Sequence, residues 1–226
     1  MRLAKNIFII SLGALALIGC KADGEGILNR NSDVESGGAG VSGKTVRSTG
    51  TADIGGAFSL VDETGAAVSE ADLVGKPHLI YFGFAFCPDI CPTSLQKLGA
   101  AQELMGKAGD DVGYVLMTVD PERDTPEKLA QYVAFDPFPT GLRGFTGSVE
   151  QVDKLKAAYK VTSVKRALDG GVLDPNSTDY TVDHTDIIYF MGADGKFADF
   201  FSSRSTPQDI SIRVRQELMR EQKRKK

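Results

Sequence analysis

Histidine is nearly absent from this 226-residue chain, which holds two of them beside three cysteines. So small a stock excludes any metal centre built from many imidazoles and makes the search for ligands short. Excess positive charge is also missing, with 26 Lys and Arg against 30 Asp and Glu and a net charge of −4. The one basic block is the tail Lys223-Arg224-Lys225-Lys226, which reads as a solvated helix end, so no nucleic-acid partner is expected. Nor does the apolar run at residues 7–18 reach the ~20 residues that a bilayer-spanning helix needs.

What that run does have is the layout of a secretory signal: Arg2 and Lys5 ahead of it, and Leu17-Ile18-Gly19-Cys20 at its end. A small residue followed by cysteine resembles the lipobox of bacterial lipoproteins. Residues 1–19 are therefore expected to be a signal peptide and Cys20 the lipidated residue. The domain would be anchored through lipid in the bacterial cell envelope, in the periplasm or on the extracytoplasmic side. Residues 20–52 are rich in Gly, Ser, Asn and charge around Gly37-Gly38-Ala39-Gly40, a composition that cannot bury a core and reads as a flexible tether. Residues 53–220 are long enough for one domain with a sizeable core, leaving 221–226 as the basic tail. Export would place the thiols where disulfides are permitted.

Within the domain, residues 78–84 and 112–119 are apolar without strict alternation, as in strands covered on both faces. Each is followed by a helical pattern, at residues 92–105 and 126–134, the second with Thr125 as cap and Pro126 at its first position. Ser148 and Gln151 fit a capping box that opens a helix through Tyr159. Segments 186–191 and 196–201 flank Gly192-Ala193-Asp194-Gly195 as a hairpin, and Thr206-Pro207 starts a last helix to about Arg220. Residues 163–181 are polar and turn-rich and read as a surface insertion. The order predicts an α/β, thioredoxin-like sandwich: a mixed central sheet with helices on both faces.

With Cys20 set aside, the remaining thiols stand together in Cys87-Pro88-Asp89-Ile90-Cys91-Pro92, directly after the first central strand. Pro92 in the second turn of a helix would clash with the preceding turn, so Pro92 is expected to open the helix. Cys91 would then be its cap, with Cys87 in a tight turn before it. Three chemistries compete: a structural disulfide, a redox dithiol with three intervening residues where thioredoxins have two, and a metal site. A metal needs a further ligand. His78 begins the strand that leads to Cys87, and nine extended residues span up to ~30 Å, so His78 belongs at the wrong end of the sheet. His184, in Val182-Asp183-His184-Thr185-Asp186, precedes a strand whose entry loop lies beside the cysteine corner of a thioredoxin-like sheet. Two thiolates and one imidazole leave structural zinc one ligand short, but suit Cu(I) and Cu(II). Metal and disulfide are then exclusive states of one site.

The blocks Gly83-Phe84, Cys87 to Pro92, Val119 to Glu127, Tyr159-Lys160-Val161 and Val182-Asp183-His184, in that order, resemble the signatures of the Sco/SenC family. The resemblance implies a membrane-anchored, thioredoxin-fold copper protein that assists assembly of the copper A centre of cytochrome c oxidase. Cys87, Cys91 and His184 match its copper ligands. The partners implied are the oxidase's copper-bearing subunit and a copper donor or thiol reductant. The alternative is a thiol-disulfide oxidoreductase in which Cys87 and Cys91 reduce the oxidase subunit's own cysteines. Asp89, Asp183 and the Asp120 to Pro126 turn are candidates for tuning the site or docking a partner. Ala85 and Phe86 depart from the family, which often has a hydroxyl or polar residue before the first cysteine.

Overall fold

The structure, a computed structural model, describes residues 53–174 and 177–224; the signal, Cys20 and the tether lie outside them. Its strands in chain order are β1 (Ser59–Asp62), β2 (Ala67–Ser69), β3 (His78–Gly83), β4 (Gly113–Thr118), β5 (Leu142–Thr146), β6 (Ser163–Ala167), β7 (Tyr180–His184), β8 (Ile187–Met191) and β9 (Phe197–Ser202). The helices are α1 (Ile90–Met105), α2 (Lys107–Asp110), α3 (Pro126–Val133), α4 (Val149–Tyr159) and α5 (Pro207–Arg224).

Seven strands form one mixed sheet in the order β2-β1-β5-β4-β3-β8-β9. The central strands β5, β4 and β3 run parallel, and β8 joins β3 antiparallel with Tyr81 opposite Ile188. Every residue of β3 is buried, which is why its sequence does not alternate. Successive residues still face opposite ways. Phe82 meets the Tyr159 ring of α4 at 5.2 Å, whereas Tyr81 and Gly83 face α1, where Cys91 lies. Helices on both faces and a mixed sheet match the expected sandwich.

Local signals set several element ends. Ser148 and Gln151 form the capping box of α4, the Ser148 N–H donating to Gln151 Oε1 at 2.8 Å and the Gln151 N–H to Ser148 Oγ at 3.2 Å. Thr125 caps α3 with Pro126 at its start. The last helix runs past Arg220 to Arg224.

Two expectations need correction. Pro92 does not open α1: the helix starts at Ile90 with Asp89 as N-cap, so Cys91 is its second residue and Pro92 its third. Proline fits there because the first-turn N–H groups have no intrahelical acceptor, and the first such bond runs from the Thr93 N–H to Asp89 O at 3.2 Å. Cys87 does lie in the turn ahead, its N–H donating to Phe84 O at 3.2 Å. Residues 163–181 are also more than a surface loop. Both ends belong to a second, two-stranded sheet in which β6 pairs antiparallel with β7, Ser163 opposite His184.

Candidate metal centre

Three elements converge on one point. The turn after β3 brings Cys87, the first turn of α1 brings Cys91, and the end of β7 brings His184. One ligand atom from each lies within 4.8 Å of the other two, the only such group of His, Cys, Asp and Glu among the described residues. His184 Nε2 is 3.4 Å from Cys91 Sγ, and the Cys91 N–H donates to Cys87 Sγ at 3.4 Å. The two cysteines are free thiols. His184 Nδ1 is 3.0 Å from Thr185 O, which assigns the proton to that nitrogen and leaves Nε2 as the candidate ligand atom. The ring is also held edge-on by Tyr81 at 6.1 Å and Phe84 at 5.9 Å.

The two sulfurs differ. Hydrogen bonding from the Cys91 thiol, joined by the N–H groups of Asp89 and Cys91, pulls Cys87 down to about 4 against opposing burial. Cys91, 0 % exposed, goes the other way: desolvation and the neighbouring Cys87 push its thiol far up. Cys87 is therefore a thiolate at neutral pH and Cys91 a thiol that a metal or a base must deprotonate.

Space under Cys91 is set by Gly83. A Cβ there would lie 2.8 Å from Tyr81 Cε1 and 3.0 Å from Cys91 Sγ. Gly83→Ala is expected to cost about 1–3 kcal/mol of stability by overpacking and to weaken copper binding as Cys91 is displaced. Denaturant unfolding and a copper titration check both, and an unchanged titration would remove Gly83 from the site.

The Asp120 to Pro126 turn braces the centre from outside. Arg123 donates from Nε to Asp120 Oδ2 at 2.5 Å and from Nη1 to Tyr180 O at 2.7 Å. The Tyr180 hydroxyl returns to Asp120 Oδ1 at 2.6 Å, and the guanidinium lies 3.7 Å from the Tyr180 ring centroid and 5.0 Å from that of Phe86. The turn thus ties β7, which carries His184, to the loop that carries Cys87. Asp183 points away from the centre to Arg166 at 2.9 Å, and the Asp89 side chain is exposed. His78 is buried at the opposite end of β3 with Nδ1 2.7 Å from Lys76 O, as its position predicts.

Asp124 is buried in the same brace, accepting from Thr118 Oγ1 at 2.7 Å and from the Ala85 N–H at 3.2 Å. Burial pushes its carboxyl up to about 6, with Asp120 adding to the rise and Arg123 opposing it. An unfolded Asp titrates near ~3.9, so between about pH 4 and 6 the folded chain holds a proton that the unfolded chain has lost. Stability should fall as pH rises through that window and level off above it. Asp124→Asn keeps an acceptor and should flatten this part of the profile. Unfolding midpoints from pH 4 to 7 read it, and parallel profiles for the two proteins would refute it.

Reasoning from sequence missed Tyr81, Ser94, Asp186 and Tyr180. Tyr81 and Asp186 were visible as polar-tipped residues in or beside apolar strands, but which face they served depends on register.

The SCO1/SenC family model matches residues 46–219. The chain belongs to the SCO1/SenC family. It is 38% identical over 171 residues to the protein sco1 of Schizosaccharomyces pombe, covering 74% of this chain and 62% of that one. Less than two thirds of that relative's length is therefore represented. Among solved structures, copper-bound ScoI of Arabidopsis thaliana matches with a TM-score of 0.65 and 36% identity over 74% of this chain and 99% of the other. Copper-bound ScoI of Bradyrhizobium japonicum gives 0.63 and 38% over 72% and 98%. These likenesses confirm the thioredoxin-like Sco fold. The donor set also fits the metal in those two proteins: soft thiolates with one imidazole are copper ligands, and structural zinc would lack its fourth.

Proposed function

We propose that this chain is a copper metallochaperone that carries one copper ion on Cys87, Cys91 and His184 and delivers it to the copper A centre of cytochrome c oxidase during assembly. The convergence of these three ligand atoms within 4.8 Å carries the reading. Family membership and copper-bound relatives support it.

The site suits release as well as binding. Three ligands leave copper an open position, and incoming ligands of an acceptor can enter stepwise without the ion becoming free. Cys91 is fully buried, Cys87 is 9 % exposed and His184 is half-buried, so exchange proceeds from the side of Cys87 and His184. The partners are the oxidase's copper-bearing subunit and a copper donor or thiol reductant. Residues 1–19 act as a signal, Cys20 takes the lipid, residues 20–52 tether the domain of residues 53–220, and 221–226 form a basic tail. This would hold the domain at the bacterial membrane in the periplasm or on its extracytoplasmic side. Among the described residues no helix is long and apolar enough to cross a membrane.

To test this, the reduced protein is loaded with copper under anaerobic conditions and mixed with the copper-free soluble domain of the oxidase subunit. The expected result is one copper bound and its transfer, read as the copper A absorption of the acceptor. Binding without transfer would overturn delivery while leaving the ligand set standing.

One observation favours a second reading. The unequal thiols make Cys87 a ready nucleophile and Cys91 a buried resolving thiol, as a dithiol reductant of the subunit's cysteines requires. That activity does not need His184. Full assembly activity in His184→Ala, with none in Cys87→Ser, would favour it.

A further inference from the structure

Behind Cys91 lies a second layer that coordinates nothing. Tyr81 is fully buried on β3, and its hydroxyl donates to Asp186 Oδ1 at 3.1 Å. Ser94, one turn along α1 from Cys91, donates from Oγ to the same Asp186 oxygen at 3.3 Å. The edge of the Tyr81 ring also borders the Cys91 sulfur, since a Cβ at Gly83 would meet Tyr81 Cε1 at 2.8 Å and Cys91 Sγ at 3.0 Å. The phenolic proton thus goes to Asp186, with the Cys91 sulfur as the neighbouring alternative acceptor.

Which acceptor takes it depends on Cys91. A protonated thiol is a weak acceptor, so the carboxylate holds the hydroxyl. A thiolate bound to metal carries charge in a dry environment and attracts the same donor strongly. If Tyr81 turns, Ser94 stays on Asp186, so the carboxylate keeps a partner. Resting on the proposed ligand set, we propose that Tyr81 is a positioning residue whose hydroxyl turns from Asp186 to the Cys91 sulfur when copper binds, with Asp186 and Ser94 holding it in the copper-free state. A hydrogen bond to the sulfur draws electron density from it, weakening donation to Cu(II) more than to Cu(I). Hydrogen bonding around a ligating sulfur is a recognised control on copper potentials.

The experiment loads the reduced protein with copper alone and compares the parent with Tyr81→Phe, Asp186→Asn and the double variant. Three quantities are read: the sulfur-to-Cu(II) charge-transfer band, the reduction potential, and the NMR shift of the Tyr81 ring carbon bearing the hydroxyl, before and after Cu(I) addition. Tyr81→Phe should still bind one copper, move the band to longer wavelength and lower the potential. Asp186→Asn, a weaker acceptor, should move both the opposite way, and this effect should vanish in the Tyr81→Phe background. The ring-carbon signal of the parent should shift on loading.

A merely structural role for Tyr81 predicts weaker binding or a lower melting temperature without opposite signs. The relay is overturned if Tyr81→Phe binds copper with band and potential unchanged, or if Asp186→Asn acts equally in both backgrounds. A parent that binds no copper overturns the ligand reading and the relay together. Copper binding with an unmoved ring-carbon signal overturns the relay alone.

Discussion

His184→Ala is expected to weaken copper binding by more than the ~10–100-fold that loss of an outer-shell partner costs, while the fold survives almost unchanged. The half-buried imidazole ends β7 and contributes edge contacts to Tyr81 and Phe84, each about 0.5–1.5 kcal/mol at most. Its removal leaves the Cys87 and Cys91 sulfurs in place but takes away one of the three candidate ligand atoms. His78→Ala is the matching control. That ring is buried against Gly113, where even a Cβ would lie 2.1 Å from His78 Cδ2, so the variant should lose stability and keep its copper affinity. Competition against a Cu(I) chelator of known affinity reads the binding, and thermal unfolding reads the fold. Parental affinity in His184→Ala would remove the third ligand from the site.

The contrast between the two histidines also marks how far sequence reaches. Reach along an extended strand separated His78 from Cys87 without any tertiary information, because strand rise is nearly constant. The capping signals of α3 and α4 were equally local and held to the residue. The entry to α1 was misjudged by two positions because a proline is tolerated through the whole first turn, not at one place in it. The β6–β7 ribbon left little trace: residues 163–167 alternate between half-buried and exposed, with no apolar face of their own. Its partner strand and the guanidinium bracing it come from elsewhere in the chain, Arg123 reaching Tyr180 across 57 positions. Tyr81 and Asp186 were hidden for a related reason. Only the antiparallel register of β3 and β8 brings them to the same face as Cys91.

That ribbon makes Arg123 the residue with the largest expected effect on stability. Asp120 has a fully buried side chain, and Arg123 is its only cationic partner among the ion pairs of the described residues. Arg123→Ala strips the charge partner from a buried carboxylate, a loss that costs about 3–5 kcal/mol where both groups are well desolvated. Arg123 retains some exposure, and the Tyr180 hydroxyl still donates to Asp120, so the lower end of that range is expected. Arg123→Lys should not restore the parent. An ammonium cannot stack flat on Tyr180 while donating to both Asp120 and the Tyr180 carbonyl. Asp120→Asn combined with Arg123→Ala should be less damaging than the two changes summed, since no buried charge is then left unpaired. Urea unfolding of the copper-free proteins measures this, and a shift within about 0.5 kcal/mol of the parent for Arg123→Ala, the range of ordinary surface changes, would refute the brace. The copper-loaded proteins supply the link to function. Copper held by the proposed ligands Cys87, Cys91 and His184 would tie the end of β7 to the same loop that Arg123 holds. Saturating metal should therefore stabilise Arg123→Ala by mass action and raise its unfolding midpoint. The same variant should bind copper more weakly than the parent, because part of the binding energy goes into ordering a ribbon that Arg123 no longer fixes.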